Sequence, residues 1–540
     1  MKFSRPALAA VAAIAVAAGS FSIVNASDKR ESTTAALDDA ALNSPTVGDA
    51  APIDPAADDE SGEFAENAGA LDPDVSEGDL AADDYSDILF GDPIVDTTAD
   101  AQLAADDADV SAGVAYDDTL LDDGAAAPLP AAPAEVSGAV AALSQPAPVD
   151  PTIEARAQEV PTPSANKPDR NNAASRAKMR KMNGPSDAPK RILGSTGATQ
   201  DWYGTEGVEG WYVYSESMKR DIPVALIRAT DLDGNPVPNA PTLYMLNGAG
   251  GAEQDGDWIS VGGAHNFYRG KSVNVVIPME GAFSYYVDWL TDGETLKQKS
   301  RYFKGEQKWS TFLGKELPPA VEHELGASNK RGVLGFSMSG TSSLLLAEHF
   351  PDQYAAVGSF SGCAATSTPL PWAFTALTVN RAARQPDYTS VTPAHIWGPM
   401  GSPYNRYNDA LVNAEKLRDK AIYISNGSGT ASQSDMIGYR MNDGETFSDA
   451  SSHSLTTTVE GGVIEAATNA CTHDLRAKLN NLNIPAHYEF RKTGTHAWSV
   501  WRDDLGRSWN TTFGPALIGD SFARADAPAL DRPTWNPGNK

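Results

Sequence analysis

The run Gly335-Phe336-Ser337-Met338-Ser339-Gly340 sets a serine between a short apolar stretch, Gly332-Val333-Leu334, and a helical one, Thr341 to Phe350. A strand, a sharp turn and a helix around a serine is the context in which its hydroxyl becomes a nucleophile. The turn lifts the hydroxyl above the sheet, and the next backbone N–H, that of Met338, points at the oxyanion formed when an acyl carbon is attacked. Bulk does not fit so tight a turn. Ser339 stands where the pattern G-x-S-x-G has its last glycine, and Gly340 follows. A serine in a glycine-rich turn is more often a loop residue than a nucleophile, so the base, the acid and a second oxyanion donor must be found elsewhere.

The candidate base is His496, in Arg491-Lys492-Thr493-Gly494-Thr495-His496-Ala497-Trp498, one of eight histidines but the one that follows the last strand-like run. The acid of such a triad falls between the serine and the histidine in chain order. Glu465 opens a helix-like stretch with the apolar stripe Ile464, Ala467, Cys471, Leu475, Leu479 and Leu482; Glu460 and Asp435 compete with it. An acid in a first helical turn commonly serves the helix dipole, so spacing leaves all three open. A loop able to offer an N–H to an oxyanion, Asn247-Gly248-Ala249-Gly250-Gly251, follows the run Leu243 to Leu246.

These residues need a scaffold. Strand-like runs occur at 223–227, 243–246, 273–277, 332–336, 356–360, 421–424 and 486–490, most of them separated by helix-length or irregular stretches. That alternation predicts an α/β domain over residues 195–525, with a mostly parallel sheet covered by helices on both faces. In such sheets reactive groups collect beyond the carboxyl ends of the strands, where the clusters above fall.

The rest of the chain is of another kind. Met1 to Ala26 has a basic start, an alanine-rich apolar core and a small-residue end, and reads as a signal peptide for export. Residues 27–165 hold 32 acidic against 3 basic residues and account for the whole formal charge of −29. Rich in Ala and Pro and poor in aromatics, this segment is expected to be a disordered spacer. Residues 166–194 form a basic linker and 526–540 a tail. Nothing points to nucleic acid, a metal or a cofactor. Two cysteines in an exported chain, Cys363 and Cys471, predict one disulfide. It would tie the Glu465 helix beside the nucleophile strand.

Four motifs in order give a family resemblance. Tyr244-Met245-Leu246-Asn247-Gly248 running to Trp258, Tyr286-Val287-Asp288-Trp289, Gly335-Phe336-Ser337-Met338, and Gly494-Thr495-His496-Ala497-Trp498 with Trp501 resemble motifs of the antigen 85 and corynebacterial mycolyltransferases, which are α/β-hydrolases. The resemblance covers roughly residues 205–510. It implies Ser337 as nucleophile, His496 as general base and acid, Glu465 as the acid orienting it, and the Ala249 and Met338 amides as oxyanion hole. It puts Asn247, Trp258, Asp288, Trp289 and Trp498 at the substrate. The implied reaction moves a mycolyl group from trehalose monomycolate to a sugar hydroxyl of trehalose monomycolate or arabinogalactan, in the cell envelope and in peripheral contact with its mycolate outer layer. The family's Asp and Arg in the oxyanion loop are here Asn247 and Gly250, and its Ala at the elbow is Ser339, which leaves the sugar contacts open. A secreted serine carboxylesterase and a non-catalytic envelope-binding protein are the other readings; an intact Ser337 and His496 speak against the second.

Overall fold

The computed structural model describes residues 149–162, 178–192, 197–384 and 390–525. The expected signal peptide, the acidic segment up to residue 148 and the tail 526–540 lie outside the described residues. Among the described residues no helix is long and apolar enough to cross a membrane.

Nine strands form one sheet in the order β1-β2-β3-β5-β4-β6-β7-β8-β9. The six from β5 to the far edge are parallel: β4 (Thr242–Leu246), β5 (Asn274–Pro278), β6 (Arg331–Phe336), β7 (Ala356–Phe360), β8 (Ala421–Asn426) and β9 (His487–Phe490). All seven apolar runs of the sequence are strands. The run at 223–227 belongs to β3 (Arg220–Ile227), which is antiparallel to β5 and to β2 (Glu209–Ser215).

The pleat sends alternate residues to opposite faces. In β4, Tyr244 and Leu246 enter one core while Leu243 and Met245 enter the other; in β8, Ile422 and Ile424 face one and Tyr423 the other. Both faces are thus apolar and both are covered, as continuous apolar runs in parallel strands require. Four helices matter below: α1 (Pro151–Arg156), α2 (Met338–His349), α3 (Gly462–Asn481) and α4 (Trp498–Ser508). α2 and α3 cover one face through Leu344, Leu345, Leu475 and Leu479. α4 covers the other through Val500, Trp501 and Leu505.

The domain starts earlier than the composition predicts. Residues 166–194 are not merely a linker: Met179–Lys181 is β1, paired antiparallel with β2. Its basic side chains meet acids of the domain, Arg180 with Asp187 at 2.7 Å and Asp221 at 3.3 Å, Lys178 with Glu216 at 3.2 Å, and Arg180 also lies 4.3 Å over the Tyr212 ring. The predicted spacer also runs too far. α1 caps itself with Asp150, Ala157 is fully buried, Arg156 Nη1 donates to Leu290 O, and Tyr404 N donates to Ala157 O at 3.0 Å. Residues 149–158 are therefore a strap on the α/β domain.

Candidate active site

The turn at Ser337 follows from what surrounds it. Its backbone sits at φ 56°, ψ −126°, a region that costs a non-glycine residue of the order of 1–3 kcal/mol and that only the surrounding structure can hold. Gly335 permits it, since a Cβ there would lie 2.2 Å from Ser339 O. Gly340 and Gly362 let two backbones meet, a Cβ on Gly340 falling 2.8 Å from Gly362 Cα. Ser339, the departure from the usual glycine, is fully buried; its Oγ accepts from Phe336 N at 3.0 Å and donates to Leu246 O at 2.9 Å. It therefore pins the elbow to the end of β4, where the glycine-rich loop begins.

Ser337 Oγ lies 2.7 Å from His496 Nε2, and His496 Nδ1 lies 2.7 Å from Glu465 Oε2. Glu465 is fully buried on the first turn of α3. Its other oxygen, Oε1, accepts from Gly427 N at 2.6 Å, Ser361 Oγ at 2.7 Å and Asn426 Nδ2 at 2.9 Å. Three donors on one oxygen fix the carboxylate so that Oε2 faces the imidazole. A carboxylate can only accept, which assigns the proton of the neutral ring to Nδ1 and turns the Nε2 lone pair towards the Ser337 hydroxyl.

The histidine loop is held at several points. His496 N donates to Gly461 O at 3.0 Å, Gly494 N to Thr430 O at 2.7 Å, and Thr495 Oγ1 to Asp435 Oδ1 at 3.1 Å. The imidazole packs edge-on against Trp501, ring centroids 5.0 Å apart, and the Trp501 Nε1–H donates to Ser361 Oγ at 3.1 Å. Of the three competing acids, only Glu465 touches His496. Asp435 steadies the neighbouring Thr495, and Glu460 lies 3.8 Å from Arg381. Ser361, Asn426 and the support from Trp501 were not singled out from sequence, and Ser339 was marked only as a departure from the pattern; the signal for Asn426 was its place at the end of β8.

The loop after β4 lies beside the elbow. Phe283 N donates to Ala249 O at 2.7 Å, Tyr285 N contacts Met338 Sδ at 3.4 Å, and Gly248 is backed by the Phe336 ring. Among the described residues neither the Ala249 nor the Met338 amide makes a backbone hydrogen bond outside the helices and strands. Asp257 shapes the turn beyond this loop by accepting from Ile259 N, Ser260 N and Ser260 Oγ; burial pushes its carboxyl up to about 6 against these hydrogen bonds.

Four residues expected at the substrate are supports instead. Asn247 is buried, accepting from Trp258 N at 3.0 Å and donating to Pro278 O at 3.1 Å. Trp258 is fully enclosed with its Nε1–H on Leu246 O, and Trp289 likewise with its Nε1–H on Ser284 O. Enclosed indoles have no face to offer a ligand. Asp288 accepts from Thr311 N and Oγ1, in a cavity wall that includes none of Ser337, Glu465 and His496. Trp498 differs: half-exposed, it packs on Phe336, the residue before the serine, at 4.7 Å between centroids. Cys363 and Cys471 form the disulfide, joining the turn after β7 to α3.

The sheet order, the strand–serine–helix elbow and the helices on both faces define an α/β-hydrolase. Residues 215–510 match the model of the family described as putative esterase. The diacylglycerol acyltransferase/mycolyltransferase Ag85A of Mycobacterium leprae is 28% identical over 306 residues, spanning 55% of this chain and 80% of the relative. Ag85B of the same organism is 30% identical over 229 residues, 42% of this chain and 64% of its own length. Among solved structures, MPT51 (FbpC1) of Mycobacterium tuberculosis covers 57% of this chain and 97% of its own at 22% identity and a TM-score of 0.42. The chain belongs to the esterase family, as one of its antigen 85 members.

Proposed function

We propose that this protein is an exported acyltransferase that carries a mycolyl group from trehalose monomycolate to a sugar hydroxyl, of a second trehalose monomycolate or of arabinogalactan, by way of an acyl-enzyme on Ser337. The observation that carries the proposal is the unbroken relay from Ser337 Oγ through His496 to Glu465, 2.7 Å at each step. The relatives' printed activities, mycolyl and diacylglycerol acyl transfer, supply the acyl class.

In this reading the relay works in two half-reactions. Ser337 Oγ attacks the ester carbon and gives its proton to His496 Nε2, while the carbonyl oxygen becomes an oxyanion between the Ala249 and Met338 amides. Glu465 balances the imidazolium and keeps its ring oriented. When the tetrahedral intermediate collapses, the sugar oxygen leaves with the proton from Nε2 and Ser337 holds the acyl group. A second sugar hydroxyl then loses its proton to Nε2, attacks the acyl carbon, and Ser337 Oγ departs with that proton. Water, at about 55 M, competes for the same carbon, so transfer needs an acceptor held in place with an effective molarity well above that. Apolar side chains suited to a long acyl chain are at hand: Met436, Ile437, Met441, Phe447, Leu455 and Val459 are all exposed in the stretch leading to Gly461, whose carbonyl holds His496.

Mass spectrometry of the products from trehalose monomycolate tests this. Dimycolate or mycolylated arabinogalactan formed by the unmodified protein, and absent with Ser337→Ala, is the expected result. Free mycolic acid as the only product would make it the esterase that the family description names.

A further inference from the structure

The sugar contacts of this site are not where the oxyanion loop would first place them: Asn247 is turned inward and Gly250 has no side chain. The space over Gly250 belongs to Gln254, whose Oε1 lies 2.4 Å from where a Gly250 Cβ would be. Gln254 Nε2 donates to Tyr302 OH at 2.7 Å. Tyr302 N donates to Ser300 Oγ at 3.0 Å, and Ser300 Oγ donates to Ala382 O at 2.6 Å, which brings the Tyr302 segment against Arg381. Arg381 Nη1 lies 3.8 Å from Glu460 Oε1. Glu460 precedes Gly461, the backbone partner of His496. Two pairs of polar side chains thus stand near the two loops, Gln254 with Tyr302 by the glycine-rich loop and Arg381 with Glu460 by the histidine loop, and hydrogen bonds through Ser300 and Ala382 join them.

Resting on the acyl-transfer reading, we infer that Gln254, Arg381 and Glu460 form the rim that recognises the sugar through its vicinal hydroxyls, with the buried Tyr302 holding Gln254 in place, and that Arg381 and Glu460 are its specificity-determining pair. The chemistry of the three groups is complementary to vicinal hydroxyls. Arg381 only donates, Glu460 only accepts, and the Gln254 amide does both, while each sugar hydroxyl must give one hydrogen bond and can take two. The charged pair is loose and open, with side chains 58% and 26% exposed, so it adds little to the fold and is free to exchange its contact for a ligand. The pair also stands next to the histidine loop, because Glu460 is the chain neighbour of Gly461, whose carbonyl accepts from His496 N at 3.0 Å.

Two measurements test the rim. With a soluble acyl ester as donor and trehalose as acceptor, the ratio of acyl-trehalose to free acid reads how well the acceptor beats water at one shared acyl-enzyme. Arg381→Ala and Glu460→Gln should each lower that ratio at least tenfold; a ratio within twofold of the unmodified protein overturns the inference. In the Ser337→Ala protein, trehalose binding is followed by NMR titration without any chemistry, and adding Arg381→Ala should weaken it at least tenfold. Equal trehalose affinity with and without Arg381→Ala overturns the rim, whatever the acyl products. Trehalose bound through Arg381 by a protein that releases only free acid would sustain the rim and overturn the acyl-transfer reading.

Discussion

At the scale of single residues, Glu465 makes a sharper prediction than the nucleophile does. Ser337→Ala should abolish acyl transfer by several orders of magnitude with the fold intact, since a half-exposed hydroxyl on a turn is lost; circular dichroism and product assay check both halves. Glu465→Gln changes no volume, and the three donors on Oε1 decide which way the amide turns. Ser361, Asn426 and Gly427 will keep the amide oxygen, leaving the NH2 group to face His496 Nδ1. The imidazole must then accept there and carry its proton on Nε2, which can no longer take the proton of Ser337. A loss of roughly four orders of magnitude in kcat is expected, as for other orienting acids changed to amides. Asn426→Ala should soften the effect of Glu465→Gln by freeing the amide to turn over; a double variant no better than Glu465→Gln alone would refute this account of the amide. The choice among Glu465, Glu460 and Asp435 was open in the sequence for the same reason. What selects Glu465 is a set of donors from the ends of β7 and β8, and no spacing along the chain records them.

At the scale of elements, legibility followed burial. The parallel strands were readable as apolar runs because both faces of the sheet are covered, and β6 with the turn at Ser337 was readable because its glycines are needed wherever it occurs. β1 was not, for Met179–Lys181 is short, mostly exposed and held by charges: its partners Asp187 and Asp221 are recognisable only once β2 and β3 have brought them alongside. The Cys363–Cys471 bridge sits between these cases, since the cysteine count suggested it and the position of α3 makes it consequential. It spans 108 residues, and Cys471 lies on the same helix as Glu465. In the chain-entropy picture a closed loop of this length stabilises by about 4–5 kcal/mol. Chemical denaturation with and without a reductant should show a loss of that order, and reduction at moderate denaturant should abolish activity before global unfolding, because α3 carries the triad acid. Two titratable thiols in the unreduced, denatured protein would remove the basis of this prediction.

At the scale of the whole molecule, two properties depend on what is packed inside and what is left outside. His349 is buried, stacked on Tyr407 with its Nε2 on Tyr407 O at 3.1 Å, and burial pulls its imidazole down to about 4 from 6.5. A folded-state value below the unfolded one means that the unfolded chain takes up the proton first. The stability tied to this neutral ring is complete above pH 6.5 and is lost as pH falls from there towards 4. The difference is worth roughly 3 kcal/mol. His395, whose Nδ1 contacts Thr392 N and which burial also holds near 4, adds in the same direction. Denaturation midpoints at pH 7 and pH 5 should therefore differ less for His349→Gln than for the unmodified protein, and an unchanged difference would refute the assignment.

The amino-terminal prediction turns on where the domain begins. Ser337, His496, Glu465 and the groups that hold them all lie within the described residues after 148, so removing residues 27–148 should leave turnover on a soluble ester within about twofold. Cutting on to residue 162 is a different operation. It uncovers the surface under Ala157, removes the Ala157 carbonyl that accepts from Tyr404 N, and leaves Leu290 O without the Arg156 guanidinium. Gly398 shows how close that contact is, for a Cβ there would fall 2.3 Å from Ala157 Cβ. Losing two hydrogen bonds and a buried helix end should cost on the order of 2–4 kcal/mol, a drop of several degrees in Tm, while the relay at Ser337 stays formed. A thermal melt of the two truncations side by side decides it: equal Tm values would show that residues 149–162 belong to the spacer after all, and a large loss of activity in the shorter deletion would show that the acidic segment takes part in the chemistry.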